Sequence, residues 1–435
     1  MNTAAPPSAR TLPALSEIRW LRFASFTAFY IAQGFPIGLF SIALPAWLMA
    51  EGISPARVAG FAAVSGLPWT FKLIAAPMMD RYAFPAMGRR RPWVLGAQLG
   101  MVLAATQLLL INDADAQLTL LTAIAFVVNA FAATQDVAVD GMAIDVLPTA
   151  EQGRANAFMM GGQVLGVSIS GAAGATLLVQ GGVPYAAVLL MGLVATVTTL
   201  VLLVRERPGE RVLPWTRGTA TPRPDLPPMA EWGKILRNLM RVLFVPMSLL
   251  LIVAELIYRS ASGIGVVLYP KIAVNMLGYG SAEFSQWLAI TGAVSAVLGL
   301  GVGLLIDRFT AARMLVAGLL TSSVLYLCIG LGHGAWATPG LAPAVMVCID
   351  LVGQWIFVST IALFMGVCAP SVAATQFAVY MAIANFSRTL GSAMFPSIEA
   401  AVDTHQMFYV LSAIVFTAAL IVSRFDPHGM KRDAA

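Results

Sequence analysis

The chain has 435 residues, of which 59% are hydrophobic and only 11% are charged, with a formal net charge of +5. Soluble domains are about 45–50% apolar and about 25% charged, so this composition excludes a soluble globular protein and indicates an integral membrane protein. The three cysteines lie in separate apolar stretches without metal-ligand spacing. We therefore expect no metal site and no cofactor.

Apolar runs long enough to cross a bilayer, which takes about 20 residues, occur in two groups of six. They lie at 23–49, 54–78, 93–112, 118–147, 153–179 and 183–204, and then at 246–274, 284–306, 313–332, 341–367, 371–398 and 406–423. This pattern predicts an all-α polytopic membrane protein with about twelve transmembrane helices in two six-helix bundles. Residues 1–204 and 241–435 would form the bundles, joined by a cytoplasmic linker at 205–240. The end of that linker reads equally as an interfacial helix or as the start of the next span.

Basic residues are placed asymmetrically along the chain. If the N-terminus is cytoplasmic, the inner segments hold most of the 26 lysines and arginines, whereas the outer loops clearly hold only Arg57. This is the distribution that the positive-inside rule describes. It predicts a multi-pass membrane protein with both termini in the cytoplasm, and it assigns the basic charge to topology and lipid headgroups rather than to nucleic acid.

Two pairs of similar segments indicate that the halves are repeats. "APMMDRY" closes the second span and "GLLIDRF" closes the eighth, 227 residues later. The segments that begin at Pro148 and Pro370 align with a displacement of 222 residues. Two markers displaced by nearly the same distance favour a duplicated six-helix unit and hence a two-bundle transporter.

The loop "DRYAFPAMGRRRPW" after the second span resembles the Asp-Arg…Gly-Arg-Arg loop of the major facilitator superfamily, and "DRFTAAR" resembles its second copy. Carboxylates beside a basic loop can pair across the seam between the bundles and bias a two-state equilibrium. The alternative is a topology signal with solvated charges. The predicted cytoplasmic gate comprises Asp80, Arg81, Arg89, Arg90, Asp145, Asp307 and Arg308.

The segment "AATQDVAVDGMAIDVLP" places charges inside the fourth span. A charged residue at a helix centre costs about 2.5–3.5 kcal/mol on the insertion scale, so such groups face a cavity, form pairs or bind protons. Asp136 and Asp140 are four residues apart and share one helix face. They are our candidates for proton coupling, and the alternative is a structural pair with Lys72, Arg259 or Arg388.

Further polar residues at mid-depth predict a cavity between the halves. Glu255 and Arg259 could instead form a self-neutralising pair, and Arg388 needs Asp350, an acid of the fourth span or an anionic ligand. The glycines of "GGQVLGVSISGAAG" favour close helix packing over substrate binding. The predicted cavity residues are Gln33, Lys72, Gln135, Gln163, Glu255, Arg259, Asp350, Gln354 and Arg388.

The stretches "PWTFKLIAAPMMDRY…GRRRPW", "ATQDVAVDGMAIDVLPTAEQGRA" and "ATQFAVYMAIANFSR" resemble the AmpG-type branch of the major facilitator superfamily, which includes muropeptide permeases and acetyl-CoA transporters. The resemblance implies the major facilitator fold and proton-driven import across the cell inner membrane, with an anhydro-muropeptide as the first candidate cargo. Gln163 stands where the muropeptide permeases tend to carry an arginine. Acetyl-CoA, a siderophore or a flipped lipid are therefore the alternatives.

The sequence disfavours an enzyme, because it has no HExxH motif, no Ser/His arrangement and no nucleotide-binding glycine loop. The expected partners are a small-molecule solute, protons and the lipid bilayer. We expect no nucleic acid and a functional monomer.

Overall fold

The computed structural model describes residues 12–425 except 83, 85, 217, 219–232, 234–236, 238–243, 339 and 368–372. The side chains of some further helical residues, including Asp80, Arg81 and Asp307, also lie outside the described part. Within that part the chain is almost entirely helical, and β-pairing is limited to two isolated bridges. The predicted all-α fold class is confirmed, while the possible interfacial helix of the linker lies almost wholly outside the described residues.

The described residues form twelve long helices. In chain order these are α1 (Arg19–Ala50), α2 (55–81), α3 (Arg91–Leu110), α4 (Leu118–Val146), α5 (149–180), α6 (183–203), α7 (Pro246–Met276), α8 (Ser281–Phe309), α9 (Ala311–Leu331), α10 (Leu341–Val367), α11 (Ala373–Ala401) and α12 (Thr404–Ser423). Within the described residues, eight segments, with α5 and α6 taken together, are long and apolar enough to cross a membrane. We call the end of the bundle where α1 begins the terminal end, and the opposite end the distal end.

Proline and glycine mark breaks in the regular helices. A π-helical turn at Leu39–Ala43 follows Pro36 in α1, and a 3₁₀ turn at Leu67–Thr70 contains Pro68 in α2. Proline lacks an N–H and therefore breaks the regular hydrogen-bond ladder. At the α5–α6 junction Gly182 has φ 68°, a left-handed conformation that favours glycine. This junction separates the fifth and sixth spans where the apolar runs predict it.

The two halves, α1–α6 and α7–α12, meet through α1 with α7, α2 with α11, and α5 with α8. Ser168 donates to the Ala289 carbonyl at 2.9 Å, and Gln286 donates to Thr176 at 3.2 Å. Near mid-depth, Asn385 donates to the carbonyl of Trp69 at 3.2 Å, beside the interruption in α2. These contacts lie between mid-depth and the distal end, so the halves adjoin on the distal side in this conformation.

Helices α1 and α5 pack backbone against backbone. A Cβ added to Gly166 would lie 2.1 Å from the Ile31 carbonyl oxygen, and one added to Gly162 would lie 2.5 Å from that of Thr27. A Cβ added to Gly34 would likewise lie 2.4 Å from the Gln163 carbonyl oxygen. The helices approach this closely only because these positions lack side chains. The packing role predicted for the glycines of this segment is confirmed at Gly162 and Gly166.

Gly166→Ala tests this packing, and Gly161→Ala is the matched control because a Cβ at Gly161 meets nothing within 4 Å. Both changes favour the helix by about 1 kcal/mol, but overpacking at Gly166 costs about 1–3 kcal/mol. We expect Gly166→Ala to lower the thermal unfolding temperature of the purified protein relative to Gly161→Ala. Equal unfolding temperatures for the two variants would contradict this account.

Candidate functional site

Asp136 lies in α4 and is held by side chains from two other helices. Gln33 of α1 donates from Nε2 to Asp136 Oδ1 at 2.6 Å, and Lys72 of α2 donates from Nζ to Oδ2 at 2.8 Å. The carboxylate is buried, with Asp136 only 3% exposed. A buried ion pair of this kind is stable only with good geometry and additional hydrogen bonds, which Gln33 supplies. Asp136 therefore fits the structural alternative, with Lys72 as its partner.

Asp140 lies one turn further along the same face of α4 but has a different environment. The Tyr30 hydroxyl of α1 donates to Asp140 Oδ1. The residue is partly exposed, and the described residues contribute no ion pair to it. Tyr30 and Gln33 are three residues apart and thus share the face of α1 that meets α4. Among the described residues, the carboxyl group of Asp140 is thus hydrogen-bonded but has no direct contact with a cation.

The interruption in α2 positions Lys72. Pro68 lies in the 3₁₀ turn, and the α-helix resumes at Lys72 itself. One turn earlier, Trp69 Nε1 donates to Asn129 Oδ1 of α4 at 3.1 Å, which fixes the two helices together. Lys72 therefore projects towards α4 from a segment anchored on that helix.

Two predicted cavity residues in the first half have other surroundings. Gln135 is fully buried and donates to the Phe29 carbonyl of α1 at 2.8 Å. In this conformation the Gln135 side chain joins two helices away from solvent, and its place in the wall of a cavity stays a prediction. Gln163 is partly exposed on α5, and the described residues give its side chain no hydrogen bond.

In the second half, Arg259 donates from Nε to Glu255 Oε1 at 2.6 Å, and its guanidinium lies 5.3 Å from the ring centre of Phe357. This geometry is the self-neutralising pair, supported by a cation–π contact. Asp350 of α10 accepts a hydrogen bond from Thr291 of α8. Arg388 of α11 has no hydrogen bond or ion pair among the described residues. Gln354, partly exposed on α10, has no described hydrogen bond either.

The predicted gate residues that are described lie at the terminal end. Asp145 Oδ1 is 3.3 Å from Arg89 NH1, and Asp145 Oδ2 is 3.6 Å from Arg90 Nε. Arg90 lies across α4 at Gly141, where a Cβ would be 2.7 Å from its Nε. Arg308 is exposed over the ring of Phe309. The ion pairs described for Asp145 are within the first half and do not cross the seam.

Glu206, which no sequence pattern pointed out, binds the loop that carries Arg89 and Arg90. Its carboxylate accepts the backbone N–H of Arg89 at 2.9 Å and of Arg90 at 2.7 Å, and also that of Arg91. These N–H groups lie at the start of α3, where a negative charge is favoured. Gly88, with φ 101°, lies under the carboxylate, and a Cβ there would be 2.8 Å from it. Positive φ and the lack of space both require glycine at this position.

The first part of the linker therefore docks on the first half. The guanidinium of Arg91 donates to the carbonyls of Val201 and Val212 at 3.0 and 2.8 Å. Arg207 donates to the backbone carbonyl of Asp145 at 2.9 Å. Burial raises the pKa of Glu210 to about 7, and the neighbouring Glu206 carboxylate contributes to the rise. The only sequence signal was two acidic residues in the segment "RERPGER" directly after an apolar run.

Comparison with known proteins places this geometry in a family. The profile of the Major Facilitator Superfamily matches residues 25–396. The chain belongs to this superfamily. Membership makes it a multi-pass membrane transporter rather than an enzyme, and it confirms the predicted major facilitator fold.

Individual relatives indicate which branch of the superfamily the chain resembles. The chain is 28% identical to the anhydromuropeptide permease of Escherichia coli strain K12 over 405 residues, which cover 90% of this chain and 78% of the relative. The resemblance to the AmpG-type branch is thereby confirmed. Among solved structures, a D-xylose-proton symporter superposes with a TM-score of 0.71 at 13% identity, covering 94% of this chain and 98% of its own. A POT family transporter in complex with a thioalcohol-conjugated peptide gives 0.73 at 12% identity, covering 96% and 99%. These two likenesses show the fold alone.

The docked linker should respond to pH through Glu210. The pKa of a glutamate in an unfolded chain is about 4.3. The pKa of Glu210 is about 7 in the folded protein, so Glu210 binds its proton more tightly there. Its stabilisation is complete below the unfolded pKa and is lost as pH rises through about 7. We expect the thermal unfolding temperature of the wild type to fall relative to that of Glu210→Gln between pH 5 and pH 8. Parallel pH profiles of the two proteins would refute this.

Proposed function

We propose that the chain is a proton-coupled secondary importer of the cell inner membrane, carrying a medium-sized polar or anionic solute. An anhydro-muropeptide is the first candidate cargo. The observation that supports the coupling is the contrast on α4: Asp136 is buried in an ion pair, whereas Asp140 is partly exposed and has no ion pair with any described residue. Asp140 is thus the carboxyl group that can exchange a proton with water in the cavity.

The neighbours of Asp140 suit a group that changes charge. The Tyr30 hydroxyl donates to Asp140, a hydrogen bond that is stronger to a carboxylate than to a neutral acid. Lys72 stays paired with Asp136 at 2.8 Å in this conformation. Protonation of Asp140 would weaken its bond to α1 and so favour a different packing of α1 against α4. A bound proton can then shift the equilibrium between the two conformations of a carrier.

The cargo is proposed from the relatives. The E. coli relative, which this chain matches over most of both lengths, is named an anhydromuropeptide permease. The cavity residues carry both signs of charge, as a zwitterionic or acidic peptide-bearing sugar requires.

The proposal also includes the orientation of the protein in the membrane and the residues of its cytoplasmic gate. The positive-inside distribution puts the terminal end, with Asp145 and its arginines, in the cytoplasm. The halves adjoin on the distal side in this conformation, which is the arrangement expected of a carrier closed to the outside. We propose that Asp145, Arg89 and Arg90 act together with Asp80, Arg81, Asp307 and Arg308 as the cytoplasmic gate. The protein would work as a monomer.

Asp140→Asn tests the coupling. The variant keeps a hydrogen-bonding side chain but holds a fixed neutral charge, so it should still exchange cargo across proteoliposomes without accumulating it against a gradient. We expect accumulation driven by a pH gradient to fall to near the equilibrium level. Counterflow of labelled anhydro-muropeptide, measured on the same vesicles, should persist.

Asp113→Asn is the matched control, because Asp113 is exposed in the distal loop between α3 and α4. It makes the same chemical change outside the membrane span and should accumulate cargo like the wild type. Undiminished accumulation by Asp140→Asn at equal protein abundance would disprove the coupling role.

A further inference from the structure

The backbones of helices α7 and α11 pack closely against each other at the level of Arg259 and Arg388. A Cβ on Gly263 would lie 1.9 Å from the Arg388 carbonyl oxygen, and one on Gly391 would lie 2.0 Å from that of Ser260. Ser392 donates to the Gly263 carbonyl at 2.9 Å. This close packing fixes the depth and spacing of the two arginine-bearing backbones.

The charges at this place do not balance among the described residues. Arg259 is paired with Glu255, whose single carboxylate is already engaged at 2.6 Å. The Arg259 guanidinium repels that of Arg388. Asp350, the acid that the sequence offered for Arg388, accepts a hydrogen bond from Thr291 instead. The one carboxylate beside these two guanidinium groups is thus engaged by Arg259, and Arg388 has no anionic partner within the described part of the chain.

An unpaired guanidinium inside a membrane bundle is unfavourable, and such groups mark substrate paths when protein partners are lacking. We infer that Arg388, next to the Arg259–Glu255 pair, is the docking site for a carboxylate of the cargo. Guanidinium presents two parallel N–H donors that match the two oxygens of a carboxylate. This inference rests on the proposed function, because it names the group of the cargo that the cavity recognises.

In this proposal the second half holds a fixed charge, on Arg388, and the first half holds a charge that proton exchange can remove, on Asp140. Arginine stays protonated at all accessible pH values, so its attraction for a carboxylate does not depend on the proton that Asp140 carries. Asp140 and Arg388 lie in different halves. Recognition of the anion and handling of the proton are therefore tested separately.

The experiment compares two ligands on the purified full-length protein. One is a disaccharide anhydro-muropeptide with a free peptide carboxylate, and the other is the same compound with its carboxylates converted to amides. A charge-assisted hydrogen bond contributes enough for roughly a 10- to 100-fold difference in Kd. We expect the wild type to bind the acid tighter by this factor. Arg388→Gln should bind both ligands with the affinity that the wild type shows for the amide.

Two further variants sharpen the comparison. Arg388→Lys keeps the charge without the paired donors and should discriminate to an intermediate degree. Arg57→Gln removes an exposed arginine that pairs with Asp115, and should discriminate like the wild type. Without ligand, Arg388→Gln should unfold at the same or a higher temperature than the wild type, because it removes an unpaired charge. A structural arginine would give a lower temperature.

The inference is overturned if the wild type binds the acid and the amide with equal affinity. It is also overturned if Arg388→Gln still prefers the acid, or if this substitution lowers the affinity for both ligands by the same factor. The first outcome needs no variant and does not depend on whether Arg388→Gln folds. Asp140→Asn should retain the preference for the acid while losing accumulation. Normal accumulation by Asp140→Asn would sink the proton coupling alone, and a wild type that binds neither ligand would overturn both this site and the proposed cargo.

Discussion

The ion pair between Lys72 and Asp136 is the contact on which the first half depends. It joins α2 to α4, and Gln33 extends it to α1. Removing one partner of a buried pair costs about 3–5 kcal/mol, because the remaining charge is left without compensation. The 3₁₀ turn before Lys72 and the hydrogen bond between Trp69 and Asn129 hold that geometry from the other side. Asp140, one turn away, can then carry an uncompensated carboxyl group on a rigid scaffold.

The fold was predictable because its causes are visible along the chain. Apolar runs set the spans, and Gly181–Gly182 ends one helix between two such runs. The interruptions at 39–43 and 67–70 were less visible, since Pro36 and Pro68 mark a place for a break but not its type. Close packing at Gly166 was predicted from composition, whereas its partner, the backbone of Ile31, follows only from the three-dimensional arrangement.

The candidate site was predicted in part. The spacing of Asp136 and Asp140 places both on one face, but three cations were equally possible partners, and only the structure selects Lys72. Gln135 differs from Asp136 by a single position, which rotates it by about 100° on a helix, and so it faces the backbone of α1. The role of Glu206 was not predicted, because its partners are the backbone N–H groups of residues 89–91, more than a hundred residues away. Backbone groups do not depend on the side chains, so the sequence does not reveal this contact.

Binding of the cargo carboxylate at Arg388 and binding of a proton at Asp140 would be coupled through charge. A ligand shifts a conformational equilibrium only by its difference in affinity for the two states. A carboxylate on Arg388 and a proton on Asp140 would each neutralise an unpaired charge, one in each half. With both bound, the cavity would carry fewer uncompensated charges, and closing it would require less desolvation of charge. With one bound, a charge would remain that resists burial. Transport of a carboxylate and a proton together would then be favoured over transport of either alone, with no contact needed between them.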